Sequence, residues 1–194
     1  MNPSIWPTTL TSFCDDLAGT TPAPAAVAAA SVTANLGLSL LIKVLAITGK
    51  RKSFTGDLPK LKAMIESARH AAEQLKLAAD DDIAAVREYL STRNPAAVLN
   101  AIEVPMRAAR AAASGVNLCT EAASLIHGLT AADLGAAVLL LSAAVRAILL
   151  SVDFNLPQLT SEEQYKAGIL FERRALEAKT ATQTAAVLHQ ISKA

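Results

Sequence analysis

Two long stretches of this chain are almost uncharged, and no other feature limits its fold as strongly. Residues 25–47 carry one charged side chain, Lys43, and residues 134–152 carry one, Arg146. Each stretch is long enough to span a bilayer, or to run apolar on all sides through the middle of a helical bundle. Side-chain size and flanks favour the bundle. The first stretch opens on Ala, Ser and Thr, which insert weakly into lipid, and neither stretch is bordered by the Trp and Tyr belts of a membrane interface. The segment MNPSIWPTTL also lacks the basic start of a signal peptide. The expectation is a soluble, cytoplasmic chain with two apolar helices at its centre and no membrane partner.

Small side chains must do the packing. The sequence is 52% hydrophobic but only 4% aromatic. Alanine is the best helix former, whereas strands favour β-branched and aromatic residues. No segment alternates as a strand should, and no internal repeat is visible. At 194 residues the chain fits one domain, spanning positions 1–194. The predicted fold class is all-α: a single-domain helical bundle with long central apolar helices.

Punctuation marks six helices. Leu10, Phe13, Cys14 and Leu17 follow helical spacing in a short first one. Pro24 closes the loop AGTTPAP before the first apolar helix, which should end at Gly49 as a C-cap. Asp57 caps a third helix with Pro59 in its first turn, and the apolar stripe carries it to about residue 91. Asn94 and Pro95 start the fourth, with a kink expected at Pro105 and an end at Gly128. Thr130 with Asp133, and Thr160 with Glu163, resemble capping boxes for the fifth and sixth. The fifth should end near residue 152, leaving residues 153–159 irregular. Cys14 and Cys119 both lie in apolar patterns, as buried free thiols would.

Charge excludes some function classes. With 18 Lys and Arg against 17 Asp and Glu, no global field points to nucleic acid or an anionic surface. His70, His127 and His189 share no metal-ligand spacing, so no metal site is expected, and His127 reads as a surface or capping residue. Four features stand out, three of them with two readings. Lys50, Arg51 and Lys52 follow a buried helix, either as solvated charges favoured by the helix dipole or as an anion site. Counting by sevens from Leu75 puts Asp82 at the edge of a buried face. There it either turns to water with Asp80 and Asp81 or faces a cleft with a raised pKa suited to proton transfer. Asp133 suits a helix start, and Asn155 is either a turn residue or a polar group lining a pocket.

A family resemblance adds to these readings. FCDDLAGTTPAP at 13–24, GKRK at 49–52, DIAAV at 82–86, VPM at 104–106, ADLGA at 132–136 and FNL at 154–156 match, in order and spacing, the motifs of the cyclodeaminase/cyclohydrolase family. The chain resembles the cyclodeaminase domain of formiminotransferase-cyclodeaminase and the bacterial methenyltetrahydrofolate cyclohydrolases. The resemblance implies an all-helical homodimer with a folate pocket near the subunit interface. It implies a tetrahydrofolate derivative as substrate and no separate cofactor. The reaction would be hydrolysis of 5,10-methenyltetrahydrofolate, or formimino cyclodeamination, at the N5–N10 bridge. On this resemblance Asp82 and Asp133 are the catalytic acids. Pro24 borders the folate, Lys50, Arg51 and Lys52 meet its glutamate tail, and Asn155 orients the pterin or the attacking water.

The chain departs from the family pattern at several points. Ala25, Ala26, Val27 and Ala28 stand where the family carries glycines, which permit positive φ and close backbone approach to a ligand. Ala132 replaces a serine, Ser151 an asparagine, and Lys43 an apolar residue. These changes define the alternative: a catalytically impaired folate-binding or partner-binding protein on the same fold.

Overall fold

The structure, a computed structural model, describes residues 4–193. The first three positions of the N-terminal segment discussed above lie outside the described residues, as does Ala194. Six α-helices follow in order: α1 Leu10–Ala18, α2 Ala26–Lys50, α3 Leu58–Thr92, α4 Pro95–Ala122, α5 Thr130–Asn155 and α6 Glu163–Ile191, with a 3-10 turn, Leu156–Gln158, after α5. The described residues contain no strand. Short connections make chain neighbours antiparallel, and α5 packs back on α2, closing α2, α3, α4 and α5 into a ring. The sixth helix lies in the groove between α4 and α5.

The two apolar stretches become α2 and α5. By length and composition Ala26–Lys50 and Thr130–Gln158 could cross a membrane. Here they lie side by side, with Leu38, Leu41, Val44 and Leu45 of α2 and Leu141, Val145, Ile148 and Leu149 of α5 sealed in one core. Their approach is close because Gly37 has no side chain. A Cβ there would stand 2.9 Å from Leu141 Cγ and 3.0 Å from the Ala137 carbonyl oxygen. Gly115 of α4 does the same from the third side, where a Cβ would meet Leu38 and Leu141 at 2.9 Å.

Two predicted caps form. Asp57 Oδ1 accepts from the Lys60 amide at 2.9 Å, and Asn94 Oδ1 from the Ala97 amide at 2.8 Å. Several boundaries need correcting. Gly49 lies inside α2, which continues to Lys50 with Arg51 as its C-cap. The fourth helix runs as one helix through the buried Pro105 and ends at Ala122, six residues before Gly128, whose positive φ of 67° serves the turn into α5. Neither threonine caps as predicted. Thr130 already belongs to α5, where its hydroxyl donates to the His127 carbonyl at 3.1 Å and accepts from Arg51 at 2.7 Å. The N-cap of α6 is Glu162, with φ 70° and no side-chain cap bond. The fifth helix outlasts its predicted end, so Asn155 is its last residue rather than a loop residue. Cys14 is exposed while Cys119 is buried, because the nine-residue α1 buries only Phe13. His127 is exposed, as expected.

The N-terminal segment straps onto α3. The Ile5 amide donates to Asp80 Oδ1 at 3.1 Å, and Trp6 Nε1 donates to the Lys76 carbonyl oxygen at 3.1 Å. Lys76 Nζ in turn sits 5.9 Å from the centre of the Trp6 ring.

Candidate active site

The antiparallel ring sorts the sequence-predicted residues to two ends. At one end meet the start of α2, the later turns of α3 and the end of α5. They enclose a cavity of about 400 Å³ lined by Ala25, Ala26, Val27, Asp82, Val86, Ala147, Leu150, Ser151, Phe154 and Asn155. That volume lies in the range of small-molecule pockets.

Asp82 is the charged group of this cavity and is only 4% exposed. The count by sevens from Leu75 therefore holds: Asp82 shares the buried face with Leu75, Ala78, Ala79 and Ile83. No Lys, Arg or His lines the cavity. Desolvation among apolar side chains pushes the Asp82 carboxyl up to about 7. A carboxyl in that state holds or releases a proton near neutrality, as acid–base work requires.

Asn155 enters the same cavity from the last turn of α5. Its Nδ2 donates to the Ala101 carbonyl oxygen of α4 at 2.7 Å, which fixes the amide plane and leaves Oδ1 as an acceptor. Ser151, one turn earlier, adds a hydroxyl to the lining. Ala25, Ala26 and Val27, the residues in place of the family glycines, form the wall opposite. Ala25 has φ −140° and ψ −152°, extended backbone that any residue adopts, and α2 begins at Ala26. Among the described residues only Arg93 and Glu162 combine a side chain with positive φ. The replaced glycines thus impose no backbone strain, and the cavity remains open beside Val27. The N-cap of α2 makes no side-chain hydrogen bond, so the first-turn N–H groups beside the cavity lack that cap.

The other predicted residues gather elsewhere. Pro24 borders a neighbouring depression with Asp16, Thr21 and Arg87. Asp133 stands in the first turn of α5 and pairs with Lys43 at 2.8 Å. It is 22 residues from Asn155 on one helix, roughly 33 Å along the axis. The two predicted acids therefore do not meet within the chain. Lys50, Arg51 and Lys52 lie at the Asp133 end. Arg51 is a clasp there: Nη1 and Nη2 donate to the His127 carbonyl at 3.2 and 3.3 Å, and Nη2 to Thr130 Oγ1 at 2.7 Å.

Sequence reasoning missed the apolar walls made by Ala147, Leu150 and Phe154. The signal was present in helical spacing, since stepping back by four from Asn155 gives Ser151 and Ala147, and from Phe154 gives Leu150. Among the described residues no three His, Cys, Asp or Glu side chains group as metal ligands.

The model of the family described as Formiminotransferase-cyclodeaminase matches residues 9–175. The chain belongs to this family. The match takes in α1 to α5, the cavity and the first part of α6. Among solved structures, formiminotetrahydrofolate cyclodeaminase from Thermotoga maritima superposes with a TM-score of 0.93. It shares 22% sequence identity, over 97% of this chain and 98% of that one. At that identity the likeness establishes the cyclodeaminase fold. No curated protein matches by sequence.

Proposed function

We propose that the chain acts on the one-carbon bridge between N5 and N10 of tetrahydrofolate, with Asp82 as its acid–base group. Membership of the family supports a folate-related cyclodeaminase or cyclohydrolase activity. The observation that carries the finer reading is a buried carboxyl in an apolar cavity that no cation lines. Such a group lacks a counter-charge, and the bridge carbon of 5,10-methenyltetrahydrofolate belongs to an amidinium cation. Binding that cation would favour the carboxylate form of Asp82.

One acid is sufficient for the chemistry. In the hydrolytic direction Asp82 takes a proton from water as the water oxygen bonds to the bridge carbon. The C–N5 bond then breaks as Asp82 returns that proton to N5. The remaining hydroxyl proton leaves to solvent, giving the 10-formyl compound. In cyclodeamination N10 attacks the carbon of the protonated formimino group, and Asp82 moves the N10 proton to the nitrogen that departs as ammonia. Asn155, with Oδ1 left as acceptor, would orient water or a pterin N–H.

Asp133, Lys50 and Lys52 could join such a site only from a second copy. The outer face of α2 and α5 exposes Leu36 (55%), Leu139 (50%), Leu150 (55%) and Phe154 (76%), an apolar surface suited to a twofold contact. An antiparallel homodimer on that face would bring the basic end of one copy to the Asp82 end of the other. The reading is of a cytoplasmic hydrolase-type enzyme of one-carbon metabolism with folate and itself as partners, and neither membrane nor nucleic acid.

The test is the absorbance of 5,10-methenyltetrahydrofolate, followed in a buffer where spontaneous hydrolysis is slow. Accelerated decay with the wild type and its loss in Asp82→Asn are expected. No acceleration would remove the hydrolytic activity, and ammonia release from 5-formiminotetrahydrofolate then tests the other direction.

A further inference from the structure

A second depression of about 330 Å³ borders the Asp82 cavity along α5. Ala147 and Leu150 line both. One extended ligand can therefore pass from the Asp82 cavity over Ala147, which offers only a methyl group, into the space between α5 and α6. Arg146, Arg173 and Glu177 also line that space.

The charges there are unequally engaged. Asp153 Oδ1 and Oδ2 accept from Arg173 Nε and Nη2 at 2.9 and 2.8 Å, and Glu177 accepts from Arg173 Nη1. Arg173, with its side chain 18% exposed, is thus held on two sides by carboxylates. Arg146 is not held in this way. Its Nε stands 4.0 Å from Glu177, whose carboxylate Arg173 already engages, and its side chain is 72% exposed. A guanidinium so placed keeps a planar fork of N–H groups for a carboxylate.

We propose that Arg146 binds the carboxylate end of the ligand whose reacting end lies against Asp82. This rests on the folate reading above, on which that end is the first glutamyl residue. Arg146 is nine residues before Asn155 on α5, about 14 Å along the helix. Ala147, Leu150 and Phe154 lie along the intervening surface and suit the flat apolar ring that joins pterin to glutamate. The chain then anchors the substrate tail with its own side chain. Lys50 and Lys52 of a second copy meet only glutamates added further along the tail.

The test compares 5,10-methenyltetrahydrofolate with its pteroate counterpart, the same ring system without glutamate. It uses the wild type, Arg146→Ala, Arg146→Lys and the double variant Lys50→Ala/Lys52→Ala. The wild type is expected to favour the glutamyl compound in KM by about tenfold. Arg146→Ala loses most of that preference, Arg146→Lys keeps part of it, and the double lysine variant retains it. A wild type with no tail preference overturns the proposal, as does a preference that survives Arg146→Ala or vanishes with the lysines. Calorimetric binding of the same two compounds separates this result from catalysis. Tail-dependent binding without turnover sinks the catalytic reading and leaves the Arg146 assignment standing. Turnover without a tail preference does the reverse.

Discussion

Asn155 donates its side-chain amide to the carbonyl oxygen of Ala101 at 2.7 Å, so the last turn of α5 is tied to α4 at the rim of the Asp82 cavity. A polar side chain at the end of an apolar helix thereby does two things: it joins two helices, and it lines the cavity with Oδ1 left as an acceptor.

Removing that tie should weaken both. Asn155→Ala is expected to lower unfolding stability by about 1 kcal/mol, the usual worth of one such hydrogen bond, and to lower turnover by more than the stability loss explains. Asn155→Asp should be worse, because a carboxylate there faces the Ala101 carbonyl without a proton to donate. Urea unfolding beside steady-state rates at matched folded fraction checks this.

Asp82 makes stability fall as pH rises. Its carboxyl is near the ordinary 3.8 when unfolded and is raised to about 7 in the fold. Below 3.8 both states are protonated and the group has no effect. Between 3.8 and 7 the unfolded chain ionises first, so wild type loses stability relative to Asp82→Asn by about 1.4 kcal/mol per pH unit. Above 7 the difference levels off at about 4 kcal/mol. Unfolding of both proteins from pH 4 to 8 should show the asparagine variant gaining on the wild type up to about pH 7 and no further; parallel curves throughout would refute the burial argument. The same variant should lose at least a hundredfold in turnover.

Gly37 is a packing residue. Gly37→Ala pushes a methyl against Leu141 Cγ at 2.9 Å and the Ala137 carbonyl oxygen at 3.0 Å, where backbone must move. A loss of about 1–3 kcal/mol is expected despite the better helix propensity of alanine. Thermal unfolding by circular dichroism reads it.

The outer face of α2 and α5 carries the dimer prediction. Leu139 is 50% exposed, so Leu139→Arg should leave the protomer fold intact. Light scattering is expected to find a dimer for the wild type and a monomer for Leu139→Arg. A monomeric wild type would confine the site to residues of one chain, and Asp133 would then have no part in it.

Helical spacing and short polar caps carried most of the fold. The cap at Asp57 was legible because a short acid precedes an apolar-periodic run, and Asp82 because seven residues restore the buried phase of Leu75. The failed cap at Thr130 has a cause that lies outside local sequence. Arg51, 79 residues away from Thr130 in the chain, engages the Thr130 hydroxyl. Asp82 and Asp133 do not pair within one chain, for a different reason. Asp133 and Asn155 belong to one uninterrupted helix, so helix length alone sends them to opposite ends of the bundle. Arg146 stood out in the sequence only as the one charge of an apolar stretch; its role was not legible until a neighbouring helix showed what surrounds it.

Trp6 is the one tryptophan of the chain, and it is docked through Lys76 on α3 rather than in the helical core. Its ultraviolet emission therefore reports the strap across α3, some six residues from Asp82, while circular dichroism reports the bundle. The two signals should separate: a red shift in emission with the helical signal intact would mark the strap peeling away from the helix that carries the acid, an event visible without any label.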